Sequence, residues 1–468
     1  MVPTVHALYF RLDGDRLWLQ AVQTPLVEIL DQFSRAGVNV FVDPSIQTTV
    51  NGNIRGGDLD ESLPGLLEAY DYLLTWKILR GPLGRVPKLK EIRIFSRGRA
   101  SAARPLPKRS TSFDVTRGVT GTQPEFVKDE LLVGVHSGTT YRQFQSLLDQ
   151  IGGMIVDSQD GIYLIRFPPG TNVEALLEQL QRNAMIAHAE LNYASRIAPN
   201  EFAALPPAGL PPIVPPADGS IPVAVLDSGL HPQAGLSAVL HSGLDALDPS
   251  RTLSDPDGHG THMAYLVSGL FTADGIPPTD GPLPLVAIRA FDENGLTSNF
   301  ALLQALAHAK QAGVKVVNMS WGSDVESLFM QSVIREAAQQ GLLLVAAAGN
   351  TPSGKEVYPA AYPEVLAVGA TEADGRPWSQ SNYGRFVDLS APARATFPTD
   401  EGGKARYVGT SISSAVVAHA LGQYFNQHPN ASASEAVQAL RHSLSPAPAP
   451  GWGQGIFDRQ AQIRLLGR

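Results

Sequence analysis

Three polar residues lie in local contexts suited to a nucleophilic hydrolysis: Asp227 in VAVLDSGL (223–230), His259 in DGHGTHMA (257–264) and Ser411 in GTSISSA (409–415). A serine hydroxyl is a weak nucleophile at neutral pH. It becomes effective when an imidazole within hydrogen-bond reach takes its proton and a carboxylate orients that imidazole and stabilises its charged form. The apolar run Val223, Ala224, Val225, Leu226 predicts a buried strand with Asp227 at its carboxyl end. His259 stands between Gly258 and Gly260 at the start of a helical pattern, and Ser411 follows Gly409-Thr410 ahead of small residues that enter another helix. Each segment alone is a weak signal, since an Asp after an apolar strand is most often a strand terminus. The three together, in the order Asp, His, Ser, are specific.

These motifs resemble those of the subtilases, the subtilisin-like serine proteases, whose chain order of the three residues is the one found here. An α/β-hydrolase would need G-x-S-x-G, and GTSIS lacks the final glycine. The resemblance runs from about Ile221 to Ala461 and implies further roles. LLLVAAAGN (342–350) matches the strand that ends in the family's oxyanion-hole asparagine, so Asn350 and the Ser411 backbone N–H would donate to the developing oxyanion. VVNMSWG (316–322) resembles the strand and loop that pair with an extended peptide, main-chain hydrogen bonds giving affinity. Ser320, Trp321 and Gly322 would line one wall of the pocket for the residue before the cleaved bond, and Ala347, Ala348 and Gly349 the other. The Trp321 ring reads equally well as core.

The resemblance implies chemistry that needs no cofactor; structural calcium, which many subtilases bind, stays open because no clustered Asp/Glu loop specifies it. His259 and His262 invite a metal reading, but no H-E-x-x-H occurs and the second histidine belongs to the subtilase motif with a structural role. No metal site is expected at these histidines. The chain departs from the family where Ile412, Ser413, Ser414, Ala415, Val416, Val417, Ala418 and His419 replace Met-Ala-Ser-Pro-His-Val-Ala-Gly, and where Tyr265 stands for a glycine. These changes put local packing in question while the reactive groups remain.

The elements that must hold these groups follow from periodicity. Beyond residue 220, strand-like runs alternate with helical ones: IPVAVLD, the His259 helix, LVAIRAF, FALLQALAHAKQAG, VKVVNMS, SLFMQSVIREAAQQG, LLLVAAAGN and VLAVGAT. That alternation predicts an α/β fold, a subtilisin-like mostly parallel sheet with helices on both faces and ligands at the carboxyl edge of the strands. Two small α+β domains are expected ahead of it. Residues 1–96 read as a repeated β-α-β unit, with Leu26, Ile29, Leu30 and Phe33 at helical spacing and Val38, Val40 and Val42 alternating. Around Thr24 to Ser45 they resemble the secretin and TonB short N-terminal domain of bacterial envelopes; any small β-α-β domain would read similarly. Residues 97–123 look like a basic flexible linker. Residues 124–197, read as β-α-β-α-β, resemble the subtilase propeptide, a folding chaperone and inhibitor whose exit strand can enter the substrate groove. Residues 198–219 form a proline-rich linker, and 220–468 the catalytic domain. Maturation cleavage is expected between Tyr193 and Ser220, with Ala198-Pro199 disfavoured because proline follows the bond.

Composition narrows the rest. The 468 residues carry a net charge of −8, which favours neither nucleic acid nor an anionic membrane as partner. There are no cysteines, so thiolate catalysis and disulfides are excluded. No apolar run reaches the ~18 residues of a transmembrane helix. No complete signal peptide is seen, though Val5-His6-Ala7 has the character of a cleavage site; a periplasmic or secreted location is expected. The reading is a serine endopeptidase made as a self-inhibited, self-processing zymogen, acting on protein or peptide substrates. Two alternatives remain: a dedicated processing protease directed to an envelope protein by residues 8–96, or a non-catalytic peptide-binding module.

Overall fold

The computed structural model describes residues 8–106, 113–118, 124–197, 213, 215–232, 235–249, 251–279, 281–398 and 404–467. They fall into two compact units, one of residues 1–110 with 127–192, the other of 111–126 with 193–468.

In the first unit, strands Tyr9–Asp13, Arg16–Pro25 and Thr49–Asp58 form an antiparallel sheet. A second sheet orders Tyr70–Gly81, Gly84–Ser96, Asn39–Val42 and Arg104–Pro105. The helix Leu26–Arg35 buries Leu26, Ile29, Leu30 and Phe33, the residues that share one face at helical spacing. Within the stretch read as a flexible linker, Arg104 and Pro105 pair with Val42 and Phe41, so its first part is structured. The remaining strands of this unit are Phe126–Val135, Met154–Gln159, Ile162–Arg166 and the beginning of Ile186–Arg196, with helices Tyr141–Ile151 and Val173–Gln181. The order is β-α-β-β-α-β, one strand more than the pattern predicts. The added strand Met154–Gln159 is a half-buried edge strand with no clean alternation, joined to Ile162–Arg166 through a tight turn at Asp160 (φ 48°) and Gly161 (φ 81°).

The second unit is built on a seven-stranded sheet in the order Leu240–Asp245, Leu285–Arg289, Val223–Asp227, Val316–Met319, Leu343–Ala347, Val365–Thr371, Leu389–Pro392. Every neighbouring pair is parallel. Val223–Asp227, Val316–Met319 and Leu343–Ala347 are buried at every position, as strands covered on both faces must be. One face packs on helices His259–Ser268 and Thr410–Gln427; Leu285, Val316, Val345, Val368 and Leu389 interlock there with Met263, Val416, Val417 and Leu421. Helices Asn299–Gln311 and Leu328–Gln339 pack against the same sheet, and Ser298 and Ser327 cap them by accepting from Ala301 N and Met330 N. The helix Thr410–Gln427 is buried over almost its whole circumference, which explains its run of Ala, Val and Leu without a polar face. Strand order reverses around Val223–Asp227, and Asp227 ends that strand at the sheet's carboxyl edge.

Candidate active site

Asp227 is fully buried where its strand ends, and its Oδ1 accepts from His259 Nδ1 at 2.7 Å and from Ser228 N at 2.8 Å. Since the ionised carboxylate can only accept, it fixes the imidazole with its proton on Nδ1 and leaves Nε2 free to act as a base. Burial disfavours the imidazolium, but the charge and hydrogen bond of Asp227, with the charges of Asp257 and Asp255, outweigh it, and the His259 pKa lies above its usual 6.5. Asp257, which accepts from His259 N at 3.3 Å, is itself pushed up, chiefly by burial.

The glycines flanking His259 have different reasons. Gly258 caps the helix with φ 81°, a left-handed conformation that other residues rarely adopt. At Gly260 a side chain has no room: a Cβ there would lie 2.5 Å from Gly229 O and 2.7 Å from Gly229 N. The contact is tied by Asp255, buried and unnoticed in the sequence. Its Oδ1 accepts from Ser228 Oγ (2.7 Å) and Gly258 N (2.9 Å), its Oδ2 from Thr261 N (2.8 Å) and Thr261 Oγ1 (2.6 Å). Ser228 Oγ in turn accepts from Gly260 N at 2.8 Å. The loop that carries Asp227 is thereby pinned to the helix that carries His259.

Ser411 occupies the first turn of Thr410–Gln427, and its hydroxyl donates to Ser320 O at 3.2 Å. Asn350, in the loop after Leu343–Ala347, faces the same turn: its Oδ1 accepts from Thr410 N (2.9 Å) and Thr410 Oγ1 (2.8 Å). With the carbonyl end of the amide held this way, the NH2 end is free to donate, and it lies 3.3 Å from where a Cβ on Gly409 would be. Thr410 Oγ1 also accepts from Gly349 N at 3.2 Å. Thr410 therefore joins the asparagine loop to the serine helix, a role the sequence reading did not assign. A threonine beside a motif serine carries no signal of its own.

The expected binding residues divide. Ser320 is buried, its hydroxyl engaged with Asn318 Nδ2 (2.7 Å) and Ser414 Oγ (3.1 Å). The Trp321 ring is buried too, 5.9 Å from Phe291, as a core residue would be. Gly322 bridges Arg196 in antiparallel fashion, and Arg196 also pairs with Leu296. Ala347 and Ala348 are buried at the end of their strand, while Gly349 is half-buried with φ 101°.

His262 packs against Tyr407 (4.2 Å between ring centroids) and Phe397 (4.8 Å), and burial pushes its pKa down to about 4. Tyr265, fully buried, extends the same aromatic cluster toward Phe271. His419 fits where bulk was in question because residue 269 is glycine: a Cβ there would lie 2.4 Å from His419 Cε1. Its Nδ1 donates to Val267 O (2.9 Å), its Nε2 meets Thr279 Oγ1 (2.8 Å), and burial holds its pKa at about 4. Among the described residues, no group of three or more His, Asp or Glu side chains is placed to hold a metal ion, and no helix is long and apolar enough to cross a membrane.

The chain belongs to the subtilase family, whose family model matches residues 218–460, and is a serine-protease hydrolase. A second match covers residues 115–192 and is described as the fervidolysin N-terminal prodomain. The chain is 30% identical over 251 residues to subtilisin Savinase of Lederbergia lenta, covering 52% of this chain and 91% of that protein. It is 29% identical over 309 residues to a thermophilic serine proteinase of Bacillus sp. (strain AK1), covering 63% and 77% of the two chains. Over 174 residues it is 37% identical to the minor extracellular protease Epr of Bacillus subtilis (strain 168), 37% of this chain and 27% of that one.

Proposed function

We propose that the chain is a serine endopeptidase in which Ser411 attacks the carbonyl carbon of an extended peptide. His259 Nε2 takes the hydroxyl proton and returns it to the leaving nitrogen; Asp227 orients the ring and stabilises its charged form. An acyl-enzyme on Ser411 is then hydrolysed by water through the same base. Asn350 Nδ2 and the Ser411 N–H donate to the oxyanion. The observation that carries this reading is the 2.7 Å bond to Asp227 that holds the His259 proton on Nδ1 and leaves Nε2 as the basic nitrogen, supported by the Thr410 clamp on Asn350.

Residues 124–197 act as an intramolecular inhibitor, and the enzyme processes itself in the stretch after Tyr193. Most of that stretch, 198–212 and 214, lies outside the described residues. An extracellular place of action agrees with the name of the Epr relative. The test compares wild type with Ser411→Ala on unfolded casein and by intact mass. The wild type is expected to degrade casein and to shorten itself, whereas the variant leaves casein intact and stays at 49.9 kDa. Equal, uncut behaviour of both would overturn the reading.

A further inference from the structure

Among the described residues, Met154–Gln159 ends the propeptide-like sheet: it pairs with Ile162–Arg166 on one side and with no strand on the other. A bare edge of this kind invites wrong pairing, and proteins protect such edges by covering them. Here the cover is the first domain. Strand Tyr9–Asp13 packs beside Met154–Gln159, and Met154 packs against the apolar core that holds Leu12, Leu17, Ile29 and Leu89. Gly37 (φ 78°) comes so close that a Cβ on it would lie 2.9 Å from Val156 O and 3.1 Å from Val156 Cγ1. At the end of the strand, a Cβ on Gly161 would lie 3.1 Å from Pro82 Cδ, and the buried Tyr163 hydroxyl is hydrogen-bonded to the Leu83 backbone.

Apolar contact is the main tie. Two partly exposed ion pairs flank it, Arg11 with Asp149 and Lys77 with Asp157, and pairs of that exposure add little individually. Lys88 works against the contact. Its side chain is 6% exposed, and its Nζ lies 3.3 Å from where a Gly37 Cβ would be, with no hydrogen-bond partner among the described residues. It lines a small cavity with Leu12, Ala36 and Leu79 of the first domain and Tyr141 and Ile155 of the propeptide-like one. Burial pushes its pKa down to about 7; Asp157 opposes that shift, and Lys77 and Arg166 add to it. A buried amine left unpaired costs free energy in either protonation state.

We propose that residues 8–106 clamp the propeptide-like domain through its edge strand and form the second half of the intramolecular inhibitor, so that undocking them shortens the latency of the zymogen. The inference rests on the peptidase reading and gives the first domain a partner within its own chain. An inhibitor domain must stay folded to block a groove, and an edge strand stripped of its cover loses the apolar contacts that hold it. Loosening the cover therefore raises the fraction of chains with an open inhibitor, and activation follows that fraction.

The test measures, in full-length chains at one concentration, the lag before casein cleavage and before loss of mass. Wild type is set beside Asp157→Lys, the swap of Lys77→Asp with Asp157→Lys, and Lys88→Met. Amide hydrogen exchange over Met154–Gln159 is read in the same chains carrying Ser411→Ala. Asp157→Lys places a cation among Lys77, Lys88 and Arg166; it should raise exchange in the strand and shorten the lag by about threefold or more. The swap restores an ion pair between the two domains and should return both readings toward wild type. Lys88→Met removes the unpaired amine and should lengthen the lag. Exchange unmoved by Asp157→Lys, or exchange raised with the lag unaltered, would overturn the clamp. So would a lag that the swap fails to restore, since damage confined to the propeptide-like strand cannot be repaired from residue 77, or equal shortening by all the variants. A wild type that leaves casein intact and keeps its mass would instead overturn the peptidase reading.

Discussion

At the scale of single residues, the raised pKa of His259 has a definite consequence for activity. In the proposed mechanism His259 must be neutral to accept a proton, so the acid limb of kcat/KM should have its midpoint above 6.5, not at it. A pH–rate profile checks this directly. Asp227→Asn would remove the charge and, by donating where the carboxylate accepts, favour the wrong tautomer; a loss of roughly 10⁴-fold in kcat is expected, as found for the equivalent amide in another serine protease fold. Asn350→Ala should lower kcat by about 10²–10³ with little change in KM. Thr410→Val keeps the shape but releases the Asn350 amide, so a kcat loss of about tenfold with KM unmoved is expected, since the hydrogen bond acts only through orientation. Asp227, His259, Asn350 and Ser411 could be singled out in the sequence because each sits in a short segment with glycine or apolar neighbours of restricted conformation. Thr410 and Asp255 were not, because a small polar side chain in a loop announces its partner only when distant segments meet.

Elements carry a different burden. The helix His259–Ser268 begins at a glycine with no side-chain cap, and Asp255 from the preceding loop substitutes for one. Asp255→Ala would strand Ser228 Oγ, Thr261 Oγ1 and two backbone N–H groups in a buried region. We expect destabilisation of about 3 kcal/mol or more, measured by urea unfolding in a Ser411→Ala background to prevent self-digestion. The helices and the central strands of the catalytic sheet could be read from periodicity since burial on both faces makes them continuous apolar runs. The edge strand Leu240–Asp245 and the hairpin strand Met154–Gln159 could not, as their half-exposed positions mix polar and apolar residues without alternation. The pairing of Arg196 with Leu296 and Gly322 joins residues about 100 and 126 positions apart, a separation at which local pattern carries no register.

For the molecule as a whole, two buried neutral imidazoles weaken the fold as pH falls. His262 and His419 titrate near 6.5 when unfolded but at about 4 when folded, so the unfolded chain binds more protons between those values. Their contribution to stability is complete above 6.5 and falls as pH drops toward 4, by about 3 kcal/mol for each group at the lower end. His259, shifted the opposite way, offsets part of that loss. Unfolding midpoints of Ser411→Ala between pH 8 and 4.5 should decline accordingly, and His419→Gln should flatten the decline. Gly260 has a consequence of another kind. Its backbone leaves no space for even a methyl group against Gly229, so among gene copies drifting away from proteolysis, a substitution at 260 would mark decay as surely as loss of the serine, and at a codon that no inventory of reactive groups would inspect.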